Sequence, residues 1–241
     1  MKKLDVLLED DHLVVINKPA GLLTLPDRYR PDKPNLLHWL TKEFGQIWTV
    51  HRLDKETSGV ICFAKNEQAH RVLSQHFEQR KVQKIYHLIT QGRIHPEEGT
   101  IEKGIANHPT QSGRKIISNK GKPAITTYKA LDRFKAFSYV EANILTGRTH
   151  QIRVHFQAIG FPLAIDPVYG GREAFYLSEI KGRNYHLGKD KEERPLMSRN
   201  TLHAQSLQIE HPQTGKPLLV EAPLPKDFRA MLKQLGKWGR S

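Results

Sequence analysis

Apolar and polar positions alternate near the start of the chain in a pattern that predicts a β-hairpin over residues 4–17. Two apolar runs, Val6-Leu7-Leu8 and Leu13-Val14-Val15-Ile16, flank the polar turn Glu9-Asp10-Asp11-His12. Lys18-Pro19-Ala20-Gly21 then stops the strand and opens a loop rich in proline and arginine. Beyond that loop the apolar period becomes helical. Leu36, Leu37, Leu40 and Phe44 share one face, with Asn35 placed as a cap and Gly45 as a stop. A second helix is predicted from a cap at Asn66 through Arg80, with Ala69, Val72, Leu73 and Phe77 as its stripe. Between the helices, Val60-Ile61-Cys62-Phe63-Ala64 is a short β-rich run.

Residues 84–90, 124–134 and 137–145 read as strands, and 91–122 as a loop-rich stretch with basic turns at Gly113-Arg114-Lys115 and Lys120-Gly121-Lys122. Thr149 to Ile159 reads as a helix that buries Ile152, Phe156 and Ile159 and stops at Gly160. A late hairpin (202–210 and 216–221) and a helix after Pro225 end the pattern. Strands with interspersed helices and no clear linker predict one α+β domain over 1–241, with a mainly antiparallel mixed central sheet, flanking helices and loops. The charged stretch 179–200 reads as a solvated excursion.

Charge changes this picture. Lys and Arg number 38 against 25 Asp and Glu, a formal +13, which points to a polyanionic partner, nucleic acid before membrane surface. Cys62 is the single cysteine, which excludes an intrachain disulfide and a thiolate cluster, and its neighbours Ile61 and Phe63 mark it as core. No apolar run approaches the roughly 20 residues of a membrane span, and residues 1–5 lack a signal-peptide core. The expected location is the cytoplasm. His150 and His155 are five apart, about 140° out of phase on a helix, so they do not share a metal. No phosphate loop, dinucleotide fingerprint or nucleophile elbow occurs, so neither metal nor cofactor is expected.

Three places concentrate candidate chemistry. In His51-Arg52-Leu53-Asp54-Lys55-Glu56-Thr57-Ser58-Gly59, one carboxylate lies between two cations beside an apolar strand. There it stays ionised and can serve as nucleophile or base; a salt-bridged surface loop is the plainer alternative. Arg153 sits at the edge of a buried stripe, on one helical face with Thr149, where an arginine wants a carboxylate. Asp54 is a candidate partner, and a surface acid or solvent is the alternative. Tyr86 alternates with Leu88 and Thr90 on a strand, as a half-buried packing residue or as a platform for a base with a phenol able to move a proton.

Taken in order, several stretches resemble the RluA family of RNA pseudouridine synthases. They are Asn17-Lys18-Pro19-Ala20-Gly21-Leu22, His51-Arg52-Leu53-Asp54 with Thr57-Ser58-Gly59, Lys84-Ile85-Tyr86, and Gly121-Lys122-Pro123-Ala124 with Thr127-Tyr128. Gly147-Arg148-Thr149-His150-Gln151-Ile152-Arg153-Val154-His155, Asp166 to Gly170 and Leu202-His203-Ala204 complete the match. The resemblance implies the pseudouridine synthase fold and a cofactor-free isomerisation of uridine in RNA. It makes Asp54 the essential carboxylate, as nucleophile or base. It implies that Tyr86 stacks on the target base and takes part in removing the carbon-5 proton, that Arg153 pairs with Asp54, and that Arg52 occupies the place of the flipped base. His51, Leu53, Arg148, His150 and Leu202 are then substrate-binding candidates. The chain begins at the catalytic fold without the small S4 RNA-binding domain of many relatives, so Arg28, Arg30, Arg114, Lys115, Lys120 and Lys122 become the first candidates for RNA contact. The expected partner is a stem-loop of ribosomal RNA, the large subunit favoured, or of transfer RNA, bound by a monomer. A non-catalytic RNA-binding or ribosome-assembly protein is the competing class; a glycosidase would need a second acid in a comparable setting, and none is present.

Overall fold

The apolar runs at the start of the chain form the predicted hairpin. Strand β1 (Val6–Glu9) pairs antiparallel with β2 (Leu13–Lys18), and Asp10 closes the turn by accepting hydrogen bonds from the His12 and Leu13 amides. The computed structural model describes residues 4–188 and 192–240. It divides into two units, one running to Tyr86 and including His203–Pro223, the other comprising His87–Leu202 and the chain from Leu224.

In the first unit, α1 (Leu36–Phe44) starts where Asn35 accepts a hydrogen bond from the His38 amide and ends at Gly45 in a positive-φ conformation, as its sequence signals predict. The short β3 (Trp48–Thr49) leads to β4 (Ser58–Ala64), all seven residues of which are buried. Strand β4 pairs antiparallel with β2 from Leu13↔Ala64 to Lys18↔Gly59. Helix α2 (Glu67–Glu78) is capped by Asn66 and stops two residues before the predicted end, with Arg80 at φ 60°. Leu13, Val15, Val60, Cys62 and Leu73 are among its core residues.

Strand β5 (Gln83–Gln91) carries the chain into the second unit. There residues 98–117 hold β6 (Glu98–Glu102), β7 (Ile105–Asn107) and β8 (Lys115–Ile117), where a loop-rich stretch is predicted. These strands are three to five residues long, too short for a period to show; β6 is a strand through its pairing with β9, and β7 and β8 through pairing with each other. Strands β9 (Ile125–Arg133) and β10 (Phe137–Ile144) form a long antiparallel pair, β6 adds to β9, and β7 pairs with β8 as a separate hairpin. Helix α3 (Gln151–Ala158) follows, then the one-turn α4 (Ser178–Lys181).

The chain returns to the first unit as β11 (Leu202–Glu210) and β12 (Pro217–Glu221). Strand β11 runs parallel to β4, with His203↔Ser58 and Ala204↔Gly59 in register. Gly59 has φ 114°, and a Cβ there would lie 2.1 Å from the Ala204 carbonyl oxygen, so only glycine admits this pairing. In the second unit α5 (Lys226–Trp238) buries Phe228, Met231 and Leu235 with Phe137, Phe175 and Met197. The architecture is α+β with a mixed, mainly antiparallel sheet.

Two local expectations are corrected. Helix α3 starts at Gln151, because His150 lies in the left-handed region at φ 58°. Thr149 is therefore outside the helix and shares no helical face with Arg153. The charged excursion at 179–200 is not wholly solvated: Met197 is core, Glu193 accepts from the Ser178 amide, and Arg199 makes a two-pronged pair with Asp227 at 2.7 and 2.9 Å. Its central residues, 189–191, lie outside the described ones.

Candidate active site

Asp54 lies on a turn whose backbone is held by the Lys18-Pro19-Ala20-Gly21 loop. Within the turn the Thr57 amide donates to the Asp54 carbonyl at 3.1 Å. Lys18 is fully buried, and its ammonium donates to the carbonyls of Leu22 (2.8 Å), Pro19 (3.0 Å) and Lys55 (3.0 Å). The Gly21 amide donates to the same Lys55 carbonyl at 2.9 Å. Thr24 takes both sides of Leu53: its hydroxyl donates to the Leu53 carbonyl at 2.8 Å and accepts from the Leu53 amide at 3.2 Å. A buried ammonium that ties three carbonyls together fixes the turn by its charge as well as its geometry. Lys18→Met removes these donors and strands buried carbonyls, so we expect a loss of roughly 2–4 kcal/mol of stability. A denaturant midpoint indistinguishable from wild type would contradict this role.

The neighbours of Asp54 have divergent fates. Arg52 is exposed, Leu53 is buried, and Lys55 pairs weakly with Glu56 at 3.5 Å on the surface. The half-buried His51 ring stacks on Phe77 at 4.6 Å, and its Nε2 accepts from the Cys62 amide at 3.0 Å. Burial, then the Lys84 charge, pulls its pKa down to about 3, so the ring is neutral and committed to the framework. The Cys62 thiol is pushed up to about 12 by burial first, which makes it inert core, as its neighbours predict. Tyr86 is 7% exposed on β5. Burial first, and then the negative charge of Asp54, raises its phenol far above the usual range, so it is a protonated hydrogen-bonding ring rather than a phenolate. Two strand positions earlier, burial and then the Arg80 charge lower Lys84 to about 8, a group sequence reading overlooked.

In the second unit, Arg153 is 6% exposed and forms a two-pronged pair with Asp166, Nε to Oδ2 at 2.6 Å and Nη2 to Oδ1 at 3.0 Å. Asp166 is fully buried and also accepts from the Val168 and Tyr169 amides. The guanidinium lies over the Tyr169 ring at 4.8 Å. The Tyr169 hydroxyl shares a 2.8 Å hydrogen bond with His150 Nδ1 and accepts one of 2.8 Å from the Lys115 amide. These contacts account for the left-handed His150, whose ring is directed to Tyr169 rather than along a helix. Asp166 and Tyr169 carry roles that their sequence motif alone does not disclose. A nearly buried arginine does signal that a carboxylate must be close.

Behind α3, Thr146 Oγ1 donates to Gln151 Oε1, Gln151 Nε2 donates to Thr126 Oγ1, and Thr126 meets His155 Nδ1 at 3.0 Å. The His155 Nε2 faces the Lys103 carbonyl, so this fully buried ring is a neutral packing histidine whose pKa burial lowers. The folded pKa values of His51 and His155 both lie below the ordinary 6.5, so below that pH the unfolded chain binds protons that the native state refuses. Stability should therefore fall as pH drops from about 6.5 to about 5, by at most roughly 1.4 kcal/mol per pH unit per histidine, less for the half-buried His51. A denaturant midpoint that stays level across that window would contradict both assignments.

The other candidates are dispersed. Leu202 is buried at the start of β11, and His203 accepts from or donates to Ser58 at 2.9 Å while facing the Ala222 carbonyl. Arg28 lies over the ring of Tyr29, which is 83% exposed, and Arg30 pairs with Asp32 at 3.3 Å. Arg114, Lys115, Lys120, Lys122 and Arg148 gather on and around the β7–β8 hairpin. Among the described residues no group of three His, Cys, Asp or Glu side chains is placed to hold a metal ion, and no helix is long and apolar enough to cross a membrane.

The sequence model of the family described as RNA pseudouridylate synthase matches residues 12–158. The chain belongs to the RNA pseudouridine synthase family. It is 38% identical over 238 residues to the "Ribosomal large subunit pseudouridine synthase D" of Pseudomonas aeruginosa, covering 97% of this chain and 72% of that protein. To the protein of the same name from Nitrosomonas europaea it is 36% identical over 237 residues, covering 96% of this chain and 65% of that one. Among solved structures it is similar to "Human RNA Pseudouridylate Synthase Domain Containing 4", with a TM-score of 0.74 and 25% identity over 96% of this chain and 93% of that one.

Proposed function

We propose that this pseudouridine synthase isomerises uridine in ribosomal RNA of the large subunit, using Asp54, Tyr86 and Arg153. The net change breaks the bond between uracil N1 and the ribose, forms a carbon-5 linkage in its place, and moves one proton from carbon 5 to N1. Nothing is oxidised and no co-reactant is consumed. The observation that carries the reading is the Asp54 turn, sutured through its backbone by Lys18 and Thr24, with a carboxylate whose charge reaches the buried Tyr86 phenol. Asp54 acts on the sugar, as nucleophile or as base, and both roles need it ionised. Arg153, aimed by Asp166 and Tyr169, is the cation this proposal gives to the reaction. Arg52, exposed two residues before Asp54, fills the stack left by the flipped base.

The choice of ribosomal RNA rests on the names of the two bacterial relatives. It is tested by mapping pseudouridines in total RNA from cells with and without the gene, then restoring the missing site with purified protein. One or more sites lost from large-subunit RNA is the expected result. A loss confined to transfer RNA moves the substrate and leaves the chemistry, whereas no lost site in either RNA counts against the proposal.

A further inference from the structure

The second unit contains a cavity of about 450 Å³ that includes none of the groups assigned to the chemistry. Lys115, Lys120, Lys122 and Arg148 line it, together with Asn107 and Thr149. No carboxylate is among the lining residues, and Lys120, Lys122 and Arg148 make no ion pair with a described acid. Four cations that line one cavity without an acid among them, Lys115 held by Asn107 Oδ1, repel one another, and an anion relieves that repulsion.

These cations stand on a braced frame rather than on loose loops. The β7–β8 hairpin is tied to residues 118–122 by paired hydrogen bonds between Ile105 and Lys122 (3.0 and 2.9 Å) and by the Ser118 amide to the Gly104 carbonyl (2.8 Å). Gly121 is packed so tightly that a Cβ would lie 2.6 Å from the Ile105 backbone. Arg148 is tethered by Nε to the Pro123 carbonyl at 3.2 Å, which leaves the outer edge of its fork for another acceptor. The Tyr169 hydroxyl holds the Lys115 amide.

We infer that this cavity seats the sugar–phosphate backbone of the RNA substrate at a nucleotide other than the one isomerised. Its volume falls within the range of about 300–1,000 Å³ typical of small-ligand sites, enough for a phosphate with its ribose. No aromatic ring lines it, so it offers no platform on which a base would stack, and recognition falls on phosphate charge. The site therefore contributes affinity and register, not sequence choice. This inference rests on the RNA-modifying reading above and adds to it a place where the strand is held.

The test is fluorescence anisotropy of the full chain with a labelled RNA stem-loop across a potassium chloride series. The Lys120→Ala/Lys122→Ala double variant is compared with Lys226→Ala/Lys233→Ala, which removes equal charge from exposed positions of α5. Loss of two phosphate contacts should weaken binding roughly 10–30-fold near physiological salt and flatten the salt slope by about 1.4–1.8, while the α5 variant stays near wild type. In turnover assays the loss should appear in KM rather than in kcat. Equal weakening by both doubles would overturn the site in favour of diffuse charge, and undiminished binding by the Lys120/Lys122 variant would overturn it outright. If the wild type modified no RNA, the proposed activity would fail while the salt slopes still reported on the cavity.

Discussion

Asp54→Asn should lower pseudouridine formation by at least roughly four orders of magnitude while leaving RNA affinity within a few-fold of wild type. The substitution is nearly isosteric and removes only the ionisable oxygen, which both a nucleophilic and a basic role require. The turn itself should survive, because Lys18, Gly21 and Thr24 hold it through backbone carbonyls and amides of Leu53 and Lys55. Fold integrity is checked by thermal unfolding and binding by anisotropy with the same RNA. Retained turnover would remove Asp54 from the mechanism. Lost binding by a folded variant would favour an RNA-binding protein that keeps the fold without the chemistry.

Asp166→Ala should be the most destabilising of the proposed substitutions. It leaves the Arg153 guanidinium nearly buried without its two-pronged partner and strands the Val168 and Tyr169 amides. Breaking one side of a buried pair typically costs about 3–5 kcal/mol, which for a chain of this length corresponds to a fall of roughly 6–20 °C in Tm. Removing both charges gives the sharper comparison. Asp166→Ala with Arg153→Met should recover much of that loss, because neither half of this buried pair is left without the other, yet it should stay inactive. Recovery of activity along with stability would show that Arg153 serves the fold alone. A single variant as stable as wild type would show that the pair carries little of the second unit's stability.

The exposed charges near Asp54 support a narrower role for their motif than a carboxylate between two cations suggests. Lys55 turns to Glu56, and Arg52 faces solvent. His51, expected to touch substrate, has its Nε2 occupied by the Cys62 amide and its face by Phe77. His51 is thus part of the scaffold, held by the backbone of β4 rather than directed to a substrate.

Local signals carried far in this chain. Asn35 and Asn66 cap their helices as predicted, because a side-chain cap and an apolar period are encoded within a few residues. Strands β2, β4, β5, β9, β10 and β11 were legible for the same reason, as was the family, whose motif residues sit side by side. Tertiary structure decided where the charges went. Only the fold brings Asp166 thirteen residues along the chain to Arg153, buries Lys18 against the carbonyl of Lys55, and turns His150 out of α3 toward Tyr169. It also makes strands of β7 and β8, three residues each and too short for a period to be read, and so collects Lys115, Lys120, Lys122 and Arg148 about one cavity. Periodicity reports what a segment buries against its own neighbours in sequence, whereas the partner of a buried charge is set by whichever distant group the fold delivers to it.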